Sequence, residues 1–145
     1  MKRIKLYMSH AIRGAKGPAA TDADMQANNE AAMRAARVIR AWLYPLPVDI
    51  YCPGEVDEFV MTAAKNGLGY LTNDQILAVD CEIIKRCDGL IWYSELGPSD
   101  GAEIEIACAE DNMVPVHTLS FLSKMDLYSL QVFVESLCQR DTKTN

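Results

Sequence analysis

An α/β fold with a doubly wound, flavodoxin-like or Rossmann-like, mainly parallel sheet of four or five strands and helices on both faces is the architecture this sequence predicts. Three observations carry the expectation. Short apolar runs alternate with longer stretches of helical periodicity, and that alternation favours parallel strands joined by crossover helices. The runs end at Gly, Pro or small polar residues. The third run, Gly89 to Tyr93, is apolar throughout, as a strand covered on both faces must be.

The elements follow in order. Ile4 to Ser9 reads as a buried first strand, and Arg13 to Ala20, rich in Gly, Ala and Pro, as a loop. The alternatives for Ala15 to Asp22 are a lid and a disordered stretch. Asp24 to Trp42 spaces Met25, Ala32, Met33, Ala36 and Ile39, with Leu43 just beyond, near helical intervals and sets Arg34, Arg37 and Arg40 elsewhere, so it predicts a helix against the sheet. Tyr44-Pro45-Leu46-Pro47 breaks it, and Val48 to Cys52 forms a second strand ending at Pro53-Gly54. Glu55 to Gly69 reads as a short helix to Lys65 and a loop from Asn66. Thr72 to Arg86 is a helix with Ile76, Leu77, Val79, Ile83 and Ile84 free to face inward. Ser94 to Asp100 is a loop, Gly101 to Asn112 a helix, Val114 to Leu119 the fourth strand, Lys124 to Gln139 the last helix, and the final residues fray. No repeat or linker divides residues 1–145, which read as a single domain. Ligands of such sheets sit beyond the carboxyl ends of the strands, so the loops after Ser9, Cys52, Tyr93 and Leu119 hold the candidate site.

Composition narrows the function. At 145 residues the chain can bury a sizeable core, and half of it is hydrophobic. Its formal net charge of −6, with no long basic run, argues against a nucleic-acid partner. No stretch approaches the ~20 apolar residues of a membrane span. Met1-Lys2-Arg3 leads into a strand rather than a signal peptide. A soluble cytoplasmic protein with no membrane partner is expected. Its five cysteines lack CxxC spacing and read as small hydrophobes in a reducing compartment, with no metal site.

One carboxylate stands out. Advancing about 100° per residue from Gly101 puts Glu103 and Glu110 at about 200° and about 180°, a solvated face. Glu105 falls at about 40°, between Cys108 and Ala109 and roughly opposite that face. A carboxylate among small apolar residues, one turn into a helix whose amino end meets the ligand crevice, is either a reactive group or the partner of a buried Arg or backbone amide. Glu103, three residues after Asp100, reads as half of a capping box.

Several stretches together resemble the nucleoside 2-deoxyribosyltransferase superfamily, closest to its 2′-deoxynucleoside 5′-monophosphate N-glycosidase branch. They are Tyr7-Met8-Ser9-His10-Ala11-Ile12-Arg13-Gly14; Asp80, eight residues before Asp88; Pro98-Ser99-Asp100-Gly101-Ala102-Glu103-Ile104-Glu105-Ile106-Ala107-Cys108-Ala109; and Val114-Pro115-Val116. They cover most of the chain in the family's order. The resemblance implies hydrolysis of the N-glycosidic bond of a nucleotide through a glycosyl ester on Glu105, releasing free base and sugar phosphate without a cofactor. It implies that Asp80 touches the leaving base or orients the nucleophile, and that Tyr7 positions Glu105 or the sugar. It further implies that Ser9, His10, Ile12, Arg13, Gly14, Ser99 and Gly101 surround the substrate and its 5′-phosphate. A homodimer or higher homo-oligomer is implied too, with Ser120 or Ser123 reaching a ligand, in the resembled family that of a neighbouring subunit. The chain departs from that branch at His10, where the branch tends to have Gly, at Ala11, where it tends to have Ser, and at Glu103, where it has a small residue. Alternatives for function are a deoxyribosyltransferase that exchanges bases and a module that binds a nucleotide without turning it over. Trp92 and Tyr93 read as core or as a surface for a base, and His117 as core or interface.

Overall fold

In a computed structural model of the chain, which describes residues 2–68 and 71–142, four strands form one all-parallel sheet. The strands are β1 (Ile4–His10), β2 (Val48–Tyr51), β3 (Gly89–Tyr93) and β4 (Val116–Leu119), in the order β2-β1-β3-β4. The described helices are α1 (Asp22–Leu43), α2 (Asp57–Lys65), α3 (Asn73–Ile84), α4 (Asp100–Asp111) and α5 (Lys124–Thr142). This is a doubly wound α/β fold, with four strands rather than five.

Strand periodicity divides the core. Ile4, Leu6 and Met8 of β1 face α1 and α5, where they meet Ala32, Ala36 and Ile39 of α1 and Leu130 and Val134 of α5. Tyr7 points to the other face, where it packs with Leu90 of β3, Ile84 of α3 and Ala109 of α4. Successive side chains of β1 therefore serve opposite layers, and residues two apart share one.

Sheet order locates the crevice. The chain runs from β1 outward to β2 on one side and to β3 and β4 on the other, so the order reverses between β1 and β3. Ligands of open α/β sheets bind at that reversal, beyond the carboxyl ends of the strands. Tyr7, Ser9 and His10 occupy that end of β1, with Ser9 in register with Trp92 and His10 with Tyr93.

Several boundaries differ from expectation for identifiable reasons. The α1 helix begins two residues early because Thr21 and Asp24 form a reciprocal capping box. Residues 14–19 form short 3₁₀ turns broken at Gly17, whose φ of 50° suits glycine. Ser99, not Asp100, caps α4, its Oγ accepting the Ala102 N–H at 3.3 Å. Val79 is exposed rather than inward. Gly69 and the residues after 142, expected in a loop and a frayed tail, lie outside the described residues.

Candidate active site

Glu105 is the buried carboxylate of the fold, only 7% exposed although it is flanked on α4 by the exposed Glu103 and Glu110. Two hydroxyls hold it. Tyr7 Oη donates to Glu105 Oε1 at 3.0 Å, and Ser9 Oγ donates to Oε2 at 2.5 Å. Both donors come from one strand, two residues apart, which is how a period of two delivers them to the same layer. No cationic side chain pairs with Glu105 among the described residues, so the ion-pair alternative raised by its helical position is not what the fold contains.

A buried carboxylate with no cation is hard to ionise. Burial pushes Glu105 up to about 7; the Asp80 charge pushes the same way, while donation from Ser9 and Tyr7 opposes both. Asp80, half-buried on α3, is pushed up to about 6, also by burial, with the Tyr7 hydroxyl working against the rise. Tyr7 itself is driven well above its usual range by burial and then by the two carboxylates, so its phenol stays a proton donor. The result is two carboxyls and a fixed hydroxyl at the switch in strand order, with titrations drawn towards neutrality. Such a group can attack, protonate or hold a proton.

Tyr51 belongs to the same cluster although nothing in the sequence pointed to it. It ends β2 in register with Tyr7, their rings stack at 5.5 Å, and its phenol is raised by burial, then by the Asp80 charge. The pairing register that brings them together is not legible from either segment alone.

His10 is corrected. The β1 alternation turns it away from Glu105, and both ring nitrogens are engaged within the protein. Its Nε2 accepts the Gly54 N–H at 3.0 Å, which leaves Nδ1 as the donor to the Ala11 carbonyl at 3.2 Å. Burial lowers its pKa and keeps it neutral. His10 fastens the turn after β2 to the end of β1. The fit is close: a methyl on Gly54 would meet His10 Cε1 at 3.2 Å and the Asn29 carbonyl oxygen at 3.3 Å. Gly54→Ala should therefore cost roughly 1–3 kcal/mol and lower the melting temperature by several degrees. An unchanged melting curve would show that the turn has room to spare.

The remaining predicted residues divide. Arg13 is exposed and precedes the 3₁₀ turns, and Gly14 has a φ of 65°, so the loop needs glycine there. The Ile12 carbonyl accepts from Asn28 Nδ2 at 2.8 Å, which ties this loop to α1. Ser99 is spent in part on capping α4 and lines a cavity beside that helix, together with Trp92, Glu103 and Ile106. Gly101, in the first turn of α4, has only ordinary contacts around it. Tyr93 packs into the core and donates to Glu95, His117 stacks on Phe133, and Ser123 caps the first turn of α5. Ser120 stands 3.5 Å from Ser94, beyond β3 and β4.

Among the described residues no three His, Cys, Asp or Glu side chains gather as a metal-holding group, all five cysteines are free, and no helix is long and apolar enough to cross a membrane. The chain matches no family model, curated protein or solved structure.

Proposed function

We propose that this protein hydrolyses the N-glycosidic bond of a (deoxy)nucleoside 5′-monophosphate through a covalent glycosyl ester on Glu105. The observation that carries the reading is the carboxylate itself: buried, without a cation, aimed by two hydroxyls at the ligand crevice, with a second raised carboxyl beside it. A module that merely held a nucleotide would gain nothing from a buried acid that opposes an anionic ligand.

The chemistry balances in two steps. A Glu105 oxygen forms a bond to the anomeric carbon as the bond from that carbon to the base nitrogen breaks, and the electron pair leaves with the base. Asp80 supplies a proton to the departing base. Asp80, now ionised, takes a proton from water as the water oxygen attacks the same carbon, and Glu105 departs as a carboxylate. Tyr7 and Ser9 keep Glu105 oriented and favour its charged form. Exchange of one base for another needs only that a base replace water in the second step; it is the alternative outcome of the same site. A homodimer belongs to this reading, and the exposed Met125, Tyr128 and Val132 along α5 offer apolar surface for one.

The test is incubation with a panel of nucleosides and their 5′-monophosphates, followed by chromatography for free base. Base release from a monophosphate in preference to its nucleoside is expected. Arg13→Ala should then raise KM for the monophosphate with little change in kcat, because a phosphate contact is made alike in ground and transition states. Equal cleavage of the free nucleoside removes the phosphate from the proposal; no release from any member of the panel removes the glycosidase.

A further inference from the structure

Two thiols meet between the helices that carry the carboxyl pair. Cys81 directly follows Asp80 on α3, and Cys108 stands three residues after Glu105, on the same flank of α4. These two helices pack on each other. The Cys108 thiol donates to the Cys81 carbonyl oxygen at 3.7 Å, and the two thiols are themselves within hydrogen-bonding reach. Both cysteines are free and half-buried, so a small reagent can reach them.

The surroundings give the two sulfurs different parts. Burial, then the hydrogen bond with Cys108, push the Cys81 thiol up to about 12, and the Glu105 and Asp80 charges act in the same direction. Cys81 therefore keeps its proton, and Cys108 is the sulfur that begins an exchange. The charge of Lys85, at the end of α3, acts on both sulfurs and eases the passage of negative charge between them. Cys52 and Cys87 are also raised by burial, but the next contributor there is a carboxylate, not a thiol.

We propose that Cys81 and Cys108 form a dithiol–disulfide couple that responds to low-molecular-weight disulfides and, by cross-linking α3 to α4, controls the spacing of Asp80 and Glu105. Cys108 sulfur attacks one sulfur of the small disulfide, whose S–S bond breaks, and the first small thiol leaves. Cys81 then gives its proton to solvent and its sulfur attacks that of Cys108, expelling the second. Two cysteines are oxidised and one small disulfide is reduced to two thiols. The sulfurs stand at contact distance, so closing a bond of about 2.05 Å draws the helices together and shifts the carboxyls they carry. The effect on turnover rests on the glycosidase reading; the cross-link does not.

The test incubates the reduced full chain in glutathione buffers of rising oxidised fraction, alkylates the remaining thiols and maps the peptides. A Cys81–Cys108 disulfide is expected before any other pair, with the intact mass two hydrogen atoms lighter and dithiothreitol restoring it. Cys81→Ala should instead hold glutathione on Cys108, and Cys108→Ala should form no cross-link to Cys81. Base release should fall about tenfold or more on oxidation of the wild type and recover on reduction, while both variants keep their activity under the same oxidant. Glutathione adducts without the cross-link, or another pair linking first in the folded chain, overturn the couple. Full cross-linking with unchanged base release overturns its control of the site. A reduced protein that releases no base counts against the glycosidase alone, since the peptide map decides the cross-link without it.

Discussion

Glu105→Gln is expected to abolish base release and, at pH 8, to melt at a higher temperature than the wild-type protein. Glutamine keeps the volume and can still accept from one hydroxyl, but it cannot form the glycosyl ester, so turnover should fall by several orders of magnitude. The stability effect follows from the direction of the pKa shift. Glu105 titrates at about 7 in the fold, above its ordinary 4.5, so the native state holds the proton more tightly than the unfolded chain. The charge is therefore a burden at pH values above 7, and the burden fades as pH falls from there towards the unfolded value. A shift of that size corresponds to about 3 kcal/mol, an upper bound on what glutamine recovers at pH 8. At roughly 2–4 °C per kcal/mol the gain should be visible by calorimetry, and it should shrink by pH 5. Glu110→Gln, on the wet face of the same helix, should do neither. Normal base release by Glu105→Gln would refute the nucleophile; a lower melting temperature at pH 8 would show that Glu105 has a stabilising partner.

Asp80→Asn should cost about 10²–10⁴ in kcat and change the form of the pH profile. In the wild type, kcat/KM should pass through a maximum near neutrality, because the pair must hold one proton: Glu105 free to attack and Asp80 able to donate. The apparent values, about 6 and about 7, belong to the pair rather than to either residue. Asparagine cannot supply the proton, so the alkaline limb should disappear. It also removes the negative charge that raises Glu105, so the acidic limb should move to lower pH. Stopped-time assays from pH 5 to 9 on both proteins would decide it. An alkaline limb that persists in Asp80→Asn assigns Asp80 to orientation and takes the proton transfer elsewhere.

Local signals made the fold readable before any coordinates. The four strands are short apolar runs bounded by breakers, and the helices between them carry the 3.6 period, so alternation alone argued for a parallel sheet. Glu105 was visible for a related reason: its angle on the helix conflicts with its charge, and such conflicts mark sites. Asp80 was not visible in that way, since a half-buried acid on a mixed helix face looks like any other; only the resemblance singled it out. Tyr51 and the latch of His10 onto Gly54 were hidden because each depends on a partner 44 residues away in sequence. The cap of α4 was misplaced by one residue because Ser99 and Asp100 are both good caps, and only the backbone decides between them. Val79 came out on the wet side because α3 packs chiefly on α4 and, of its apolar positions, buries only Ile84 fully.

The placing of Tyr7, Ser9, Asp80 and Glu105 also bears on how the chain folds. Tyr7 and Glu105 are separated by 98 residues, and the hydroxyls reach the carboxylate only after β1 has paired with β3. Parallel pairing of strands so distant in sequence must overcome loop-closure entropy before any contact rewards it, which makes it a slow event. Until then Glu105 rides on a helix that can form early with its carboxylate in water, ionised at no cost. The penalty for burying it arises only as the sheet closes. The site therefore acts as a late brake on folding, strongest in alkaline solution, and an acidified refolding buffer should release it.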